Sequence, residues 1–174
     1  MIFFHKAEQP YGYFCQWYIL APFTDPETGM TFNCAEQYLM YNKATTFNDQ
    51  ATAQAIMKTK QPSEHKALGR QTKGFTPAEW DKVKLDVVVR GNVLKFTQTL
   101  AARDDTFVDT FVYGTGGRKE GHEEVPLREL LLATGAATLA EASRFDCLWE
   151  IGMDAATAPS RSRGQQGQNL LGEA

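Results

Sequence analysis

A strong helix start constrains the fold of this chain more than any other feature of the sequence. Thr76 is typical of a helix N-cap, Pro77 of the first helical position, and Glu79 completes a capping box three residues after the cap. Apolar side chains then recur at helical spacing as far as Phe96, with Gly91 as the weak point of the pattern. The sequence therefore predicts that the longest helix lies here.

Shorter helices and a few short strands account for the other patterns. Further helices are predicted over residues 34–45, 51–58, 63–68 and 127–133. Strands are predicted where aromatic or alternating residues lie between turns, over residues 2–5, 14–20 and 138–143. Asp25–Gly29 is predicted to be a hairpin turn. Because helices outnumber strands without a regular β-α-β alternation, the predicted class is α+β, mainly helical.

The size and composition of the chain fit one compact domain. Its 174 residues lie in the usual range of a single domain, and 43% hydrophobic with 22% charged residues is typical of a globular protein. We therefore expect a single domain over residues 1–174. The net charge of −3 gives no overall attraction to a polyphosphate, so contact with a nucleic acid would need a local basic patch.

The cysteines and the N-terminal sequence indicate an intracellular protein. Cys15, Cys34 and Cys147 form neither an even disulfide set nor a CxxC pair, so we expect them to be reduced and mostly buried. No apolar run is long enough to span a bilayer, and the N-terminus lacks the pattern of a secretory signal. A soluble cytosolic or nuclear protein without membrane contact is expected.

Glu36 and Lys43 are the first candidates for chemistry. They lie seven positions apart in the predicted helix 34–45, which brings both side chains to nearly the same face. Asn33 is predicted to cap this helix. A carboxylate and an amine in one pocket could transfer protons and attack an electrophile. On spacing alone, an ion pair on a solvated helix face is the commoner arrangement.

Asp146 and Trp149 add a second carboxylate and an indole in an apolar segment that ends at Gly152. Glycoside cleavage commonly uses two acids, and an aromatic ring can stack on a base. An aspartate in a turn and a tryptophan in the core explain the same residues. Arg70, which follows Gly69, could bind a phosphate or cap a helix.

Three other segments carry less information. The Gly-rich residues 114–122 resemble a phosphate cradle but lack the Gly-Lys-Ser/Thr of a P-loop, so a flexible surface loop is the better interpretation. Residues 155–168 are rich in Ser, Arg, Gly and Gln and are predicted to form a mobile basic loop. His5, His65 and His122 have no partner at helical spacing, so no metal site, Cys-His dyad or cofactor is expected.

Nine short landmarks occur along nearly the whole chain in an order that one protein family shares. They are Pro10-Tyr11-Gly12 with Phe14; Ala35-Glu36-Gln37-Tyr38 through Lys43; Ala67-Leu68-Gly69-Arg70; Phe75 with Trp80; Lys95-Phe96; Leu131-Leu132 with Thr134-Gly135; Leu139-Ala140-Glu141-Ala142-Ser143; Asp146 with Trp149 and Gly152; and Gly167-Gln168-Asn169-Leu170-Leu171-Gly172. In this order they resemble the NADAR superfamily, also described as YbiA-like.

This resemblance implies a compact, mainly helical α+β fold and N-glycosidase activity on NAD-derived or ribose-phosphate ligands. Two kinds of substrate are associated with the family: guanine bases that carry ADP-ribose, and phosphoribosylamino-pyrimidine intermediates of riboflavin biosynthesis. Riboflavin-type relatives usually carry Glu-His-Tyr-Phe-Gln in the first helix. This chain has Glu36-Gln37-Tyr38-Leu39-Met40 there, which favours the ADP-ribosylated guanine.

The resemblance also implies roles for single residues. Lys43 would attack the anomeric carbon to give a ring-opened Schiff base, while Glu36 or Asp146 moves protons to and from the base and sugar. Direct attack of water through an oxocarbenium-like state is the alternative. The implied substrate contacts are Trp80, Trp149 and Asn169 around the sugar and base, Arg70 with the backbone of Gly12 and Gly152 near the diphosphate, and Tyr11.

The chain departs from the family pattern in three places. Cys15-Gln16-Trp17 stands where relatives commonly have Ser-Asn-Phe, and Glu150 replaces the usual glycine after Trp149, which leaves the details of base and ribose recognition open. Relatives continue beyond Ala174 into a helix, so a C-terminal truncation is expected.

The expected partners are ADP-ribose or a related ribose-phosphate nucleotide, and ADP-ribosylated DNA or RNA, for which Arg161-Ser162-Arg163 could supply phosphate contacts. The sequence does not set an oligomeric state. The competing classes are a non-catalytic ADP-ribose-binding module and a structural or interaction protein.

Overall fold

The computed structural model describes residues 1–102, 124–160 and 166–174 of the chain. They divide into unit 1, which comprises Met1–Cys15 and Leu100–Ala174, and unit 2, which is Gln16–Thr99. Among the described residues the strands are two or three residues long, whereas the helices reach 22 residues, which confirms the predicted α+β, mainly helical class. The prediction of a single domain stays a prediction, and the Gly-rich residues 114–122 lie outside the described residues.

Unit 2 is a group of helices around one central helix. Its elements are β2 (Phe23–Thr24), β3 (Thr31–Phe32), α1 (Ala35–Thr46), α2 (Gln50–Lys58), α3 (Pro62–Gly69) and α4 (Pro77–Gln98). The strands β2 and β3 pair antiparallel across the predicted hairpin turn. Helix α1 packs against α2, α3 and α4, so its side chains are covered on several sides. The predicted long helix is confirmed as α4, which begins at Pro77 after the N-cap Thr76.

The start of α1 differs from the prediction. Cys34 is the N-cap, and the side chain of Asn33 instead donates to the carbonyl of Lys60 at 2.7 Å. Gln37 takes the place of a capping-box residue, because its Oε1 accepts from the backbone N–H of Asn33 at 2.8 Å. The same amide donates to the carbonyl of Ile56 at 3.1 Å. One glutamine therefore fixes the start of α1 and ties it to α2.

The core of unit 2 explains the weak point in the pattern of α4. The Tyr38 ring is 2% exposed and lies 5.7 Å from the Phe23 ring and 5.0 Å from the Phe32 ring, measured between centroids. A Cβ at Gly91 would lie 2.9 Å from Cδ1 of Tyr38. Glycine at this position therefore lets α4 approach α1 closely. Its low helix propensity is the reason that the sequence pattern is weak there.

The described residues of unit 1 form two pairs of short strands and two short helices. Its elements are β1 (Ile2–Phe4), β4 (Leu100–Ala102), β5 (Glu124–Pro126), α5 (Leu127–Ala133), β6 (Leu139–Glu141) and α6 (Leu170–Glu173), with 3-10 turns at Gly12–Phe14 and Ala158–Ser160. Strands β1 and β6 pair in parallel, and β4 pairs antiparallel with β5. Helix α5 has the predicted bounds.

Two strand predictions need correction. The predicted strand over residues 14–20 is wrong: Tyr11 has a left-handed φ of 60° and starts a 3-10 turn, in which Phe14 N–H donates to Tyr11 O at 2.9 Å. The strand predicted over residues 138–143 is β6, and it is buried on both faces. Ala140 is 1% exposed and Glu141 on the opposite face is 7% exposed, so the expected solvated face is absent from β6.

Three smaller predictions can be compared with the described residues. Cys15 and Cys34 are buried free thiols and Cys147 is an exposed one, so the cysteines are mostly buried as expected. Part of the predicted loop 155–168 is the 3-10 turn at Ala158–Ser160, and residues 161–165 lie outside the described residues. None of the helices described here combines the length and the apolar composition that crossing a bilayer requires.

The hairpin turn offers a test of this packing. Arg90 of α4 contacts the 4% exposed Asp25 (Nη2–Oδ1 2.7 Å) and the mostly exposed Glu27 (Nη1–Oε1 2.8 Å), and Asp25 also accepts from the N–H of Glu27 at 3.0 Å. We expect Asp25→Ala to lower the free energy of unfolding by about 2–3 kcal/mol, because a buried partner is lost. Glu27→Ala should cost less than about 1 kcal/mol. Urea denaturation measures both, and equal losses would contradict this assignment.

Candidate functional site

Glu36 lies in the first turn of α1 and is almost completely removed from water. Its side chain is 6% exposed, and its backbone N–H donates to the carbonyl of Gln16 at 3.0 Å. Burial raises the pKa of this carboxyl to about 7, although nearby positive charges and a hydrogen bond from the Trp17 side chain oppose the rise. At neutral pH the group is therefore able both to donate and to accept a proton.

Lys43 lies two turns further along α1 and is half-buried. Its Nζ lies 4.0 Å from the centroid of the Phe75 ring. Burial lowers the pKa of the ammonium, the positive charge of Arg70 lowers it further, and Glu36 opposes both effects. The two side chains therefore interact, but they do not form the solvated ion pair that is commonest at this spacing.

Two further cations, Lys66 in α3 and Arg70 at its C-cap, act electrostatically on Glu36. The charges of Lys66 and Arg70 both act to lower the pKa of the Glu36 carboxyl. They are four residues apart and so lie on one side of the helix. Between them Gly69 faces Met40 of α1, where a Cβ would collide with the Met40 sulfur. The close approach of α3 to α1 at this glycine brings the cations near the carboxyl.

Trp17 and Lys66 are functional candidates that the sequence did not single out. The Trp17 side chain acts to lower the pKa of the Glu36 carboxyl, the residue is 37% exposed, and Nζ of Lys66 lies 5.9 Å from its ring centroid. Lys66 could have been found from its spacing to Arg70. Trp17 gave only one signal, a departure from the family pattern at its position.

Cys34 and His65 form a contact that the sequence did not indicate, but the contact is not a nucleophilic Cys-His dyad. Sγ of Cys34 lies 3.7 Å from Nδ1 of His65, and both residues are fully buried. Burial raises the pKa of the thiol to about 12 and lowers the pKa of the imidazole, so both groups are neutral and the thiol is not activated. Among the described residues, no group of three or more His, Cys, Asp or Glu side chains is arranged to hold a metal ion.

Comparison with known proteins identifies the family. The model of the NADAR domain matches residues 2–174 of the chain. The chain belongs to the NADAR family. It is 32% identical to N-glycosidase R617 of Acanthamoeba polyphaga mimivirus over 178 residues, which cover 99% of this chain and 90% of the relative.

One further relative supports this assignment, and one solved structure shows a similar fold. Protein irg-1 of Caenorhabditis elegans is 32% identical over 148 residues, which cover 83% of this chain and 58% of that protein. The NMR structure of the Escherichia coli protein YbiA has a similar fold, with a TM-score of 0.66 at 24% identity over 99% of this chain and 78% of that one. Membership in the NADAR family, with a relative named as an N-glycosidase, supports N-glycosidase function.

The NADAR resemblance predicted site residues in both units. In unit 2 these are Glu36, Lys43, Arg70 and Trp80, of which Trp80 is 9% exposed in the first turn of α4. In unit 1, Oδ1 of Asp146 accepts from the N–H groups of Leu148 at 2.7 Å and Trp149 at 2.9 Å, so this carboxylate organises a turn. The indole of Trp149 is half-buried. Substrate contact by these residues stays a prediction.

The other predicted residues of unit 1 serve its local structure. The side chain of Asn169 donates to Leu139 O at 2.8 Å and accepts from Glu141 N–H at 3.2 Å, so both ends of the amide are bound to β6. Gly12 donates its N–H to Gln9 O at 2.8 Å. Tyr11 stacks on Phe14, and Gly152 has a positive φ of 69°. Their predicted diphosphate and substrate contacts stay predictions.

The raised pKa of Glu36 predicts a dependence of stability on pH. Because the folded-state value of about 7 lies above the ordinary 4.5, stability is present in full below about pH 4.5 and is lost as the pH rises to about 7. The amide in the Glu36→Gln variant does not ionise, so the variant avoids the cost of a buried charge. At about pH 8 its free energy of unfolding should therefore exceed that of the wild type by about 3 kcal/mol.

The advantage of the Glu36→Gln variant should shrink as the pH falls. Thermal unfolding followed across the acid to neutral range measures it, and Glu79→Gln, which changes an exposed glutamate of α4, serves as the control. Parallel stability profiles for the wild type and Glu36→Gln would mean that the carboxyl is not held in its protonated form by burial.

Proposed function

We propose that this chain is an N-glycosyl hydrolase that removes ADP-ribose from ADP-ribosylated guanine bases. The observation that carries the proposal is the buried carboxyl of Glu36, whose pKa of about 7 suits a proton donor at neutral pH. Departure of a base from a sugar leaves negative charge on the base nitrogen, and a neutral carboxyl next to it can supply the proton. An exposed glutamate with an ordinary pKa would be ionised and could not.

In the proposed mechanism the amine of Lys43 attacks the anomeric carbon of the ribose. Its lone pair forms the new C–N bond, the glycosidic bond breaks, and Glu36 protonates the leaving guanine. Opening of the ribose ring then gives a protonated Schiff base, and the ring oxygen takes up the proton that the lysine nitrogen loses. Water adds to the Schiff base and releases Lys43 and ADP-ribose. The lowered pKa of Lys43 supports this route, since only the free amine attacks.

Lys66 and Arg70 supply the positive charge that a diphosphate requires. Both act electrostatically on Glu36, so a phosphate bound by them would lie near the reacting bond. Their charge is local, which fits a chain whose net charge of −3 gives no general attraction to nucleic acid. ADP-ribosylated DNA or RNA and the corresponding free nucleotide are the proposed substrates.

Two other functions compete with this one. An N-glycosidase acting on phosphoribosylamino-pyrimidine intermediates could use the same carboxyl and lysine, with one phosphate on the cations instead of two. A non-catalytic ADP-ribose-binding module would need the cations but neither the raised pKa of Glu36 nor the lowered pKa of Lys43. The proton-transfer groups therefore favour an enzyme over a binding module.

The direct test offers ADP-ribosylated guanine in DNA, in RNA and as the free nucleotide, beside the pyrimidine intermediates, and measures the released base. We expect release from ADP-ribosylated guanine, and we expect Glu36→Gln to lower kcat by at least about 100-fold. Glu79→Gln, which changes an exposed glutamate, should retain full activity. Release from the pyrimidine intermediates alone would favour the riboflavin-type substrate, and binding without any release would favour the binding module.

The lysine route has its own test. Borohydride added during turnover should trap the sugar on Lys43, because it reduces a Schiff base to a stable amine, and peptide mass spectrometry locates the adduct. Lys43→Ala should lose both the adduct and most of the activity. Lys82→Ala, which removes an exposed lysine of α4, should lose neither. If Lys43→Ala still turns over and no adduct forms, water attacks the sugar directly.

A further inference from the structure

We propose that Phe75 is a positioning residue, whose ring face holds the amine of Lys43 in the place from which it attacks the sugar. The inference rests on the proposed function, because it concerns the nucleophile of the same site. The family resemblance counts Phe75 among its landmarks but assigns the residue no role.

The contact between Lys43 and Phe75 is close. Nζ of Lys43 lies 4.0 Å from the ring centroid, well inside the roughly 6 Å within which an aromatic face attracts a cation. The corresponding distance from Lys66 to the ring of Trp17 is 5.9 Å. A lysine side chain is long and flexible, and without such a contact it would sample several rotamers. The ring face therefore selects one position for the amine.

A second aromatic residue fixes the ring of Phe75. The Phe47 ring lies 5.4 Å away between centroids at an interplanar angle of 68°, which is a favourable edge-to-face arrangement. Phe47 is the C-cap of α1 and follows Lys43 by four residues. The end of α1 thus contacts Phe75 through Phe47 and presents Lys43 to the face of the same ring.

The segment that carries Phe75 is anchored to the start of α2. Asp49, the buried N-cap of α2, accepts the N–H of Lys73 on Oδ2 at 2.8 Å and the N–H of Thr52 on Oδ1 at 3.1 Å. Gly74 has a positive φ of 72°, which lets the chain turn between this anchor and Phe75. The N-cap of α4 follows directly. The ring is therefore carried by backbone that is fixed on both sides.

The exposure of Phe75 argues against packing as its only role. The residue is 39% exposed, whereas Phe23 and Phe32 in the core of unit 2 are 2% and 0% exposed. A ring that stays partly in water gains less from burial than a core ring does. The contacts with Lys43 and Phe47 account for an aromatic residue at this exposed position.

The ring has opposite effects on the charge of Lys43 and on its reactivity. An aromatic face stabilises the ammonium, so it acts in the same direction as Glu36 and opposes burial and Arg70, which lower the pKa of the group. Loss of the ring should therefore increase the fraction of free amine. If Phe75 acted through charge alone, its removal would speed the reaction. If it positions the amine, its removal slows the reaction.

The test removes the ring, retains it, or changes only its electrostatics. Phe75→Leu removes the aromatic face and Phe75→Tyr retains it. Replacement of Phe75 by 3,4,5-trifluorophenylalanine weakens the attraction of the face for a cation at nearly constant shape. Lysine labelled with 13C at the ε carbon reports position and titration in the ligand-free protein, and the signal absent from Lys43→Arg identifies Lys43.

The lysine spectrum should show the contact directly. A group above a ring face is shielded by the ring current, so we expect an upfield shift of the Lys43 ε-methylene in the wild type and in Phe75→Tyr. The shift should be lost in Phe75→Leu and reduced in the trifluorinated protein. The titration midpoint should fall by about half a pH unit in Phe75→Leu. The signal of the exposed Lys82 should be the same in all variants.

Turnover separates position from charge, because the two effects have opposite signs. A midpoint lower by about half a pH unit raises the free-amine fraction of a mostly protonated lysine by about threefold. We nevertheless expect Phe75→Leu to lower kcat by at least about fivefold with KM nearly unchanged. Phe75→Tyr should restore most of the activity, since it keeps the ring face.

Reductive trapping with ADP-ribose measures the reactivity of Lys43 without release of a base. The amine adds to the aldehyde carbon of the open ribose, water leaves to give the Schiff base, and cyanoborohydride supplies the hydride that reduces it. Peptide mass spectrometry follows the adduct on Lys43. Its rate of formation should fall in Phe75→Leu by about the same factor as kcat.

The outcomes distinguish failure of this inference from failure of the proposed function. Absence of the upfield shift from the wild type overturns the inference, and so does a kcat or adduct rate that Phe75→Leu leaves unchanged or raises. If ADP-ribose forms no adduct on Lys43, the inference fails even when guanine is released. If no substrate releases a base but the adduct forms and slows in Phe75→Leu, the positioning role is supported and the proposed N-glycosidase is rejected.

Discussion

A carboxylic acid buried at the start of α1 is the constraint on which the rest of unit 2 depends. Glu36 is tolerated there because the charges of Lys66, Arg70 and Lys43, together with the Trp17 side chain, favour the ionised carboxyl and offset part of the cost of burial. Burial still outweighs these contributions, since the pKa remains raised to about 7. A fold selected for stability alone would place an apolar residue at this position.

Close helix packing puts these groups within reach of one another. Helix α3 approaches α1 where Gly69 meets the side chain of Met40, between Glu36 and Lys43 on the same helix. Helix α4 also packs closely against α1, at the point where Gly91 meets the Tyr38 ring. A larger residue at either glycine would push its helix away from α1, and at Gly69 it would also move Lys66 and Arg70 relative to the carboxyl. Gly91 in α4 and Gly69 at the end of α3 thus both allow close packing on α1.

Local patterns predicted the elements of the fold better than the contacts of the site. The start of α4 at Pro77 and the shared face of Glu36 and Lys43 depend on near neighbours in the chain, so both could be predicted from the sequence. The link from Trp17 to Glu36 depends on tertiary packing, as does the contact of Cys34 with His65. The same holds for the corrected strand β6, whose two buried faces reflect neighbours that are distant in the chain.

The protonation states of Glu36 and Lys43 are coupled, and this coupling links burial to reactivity. A neutral carboxyl with a neutral amine carries the same total charge as a carboxylate with an ammonium, so solvation and neighbouring charges decide between the two pairs. Burial disfavours both charges, and Arg70 disfavours the ammonium. Once Glu36 is protonated, the attraction that supports the charge on Lys43 is gone. A ligand that covers both side chains removes more water and shifts the balance towards the neutral pair. That pair combines a proton donor with a free amine, which are the two forms that the proposed mechanism requires.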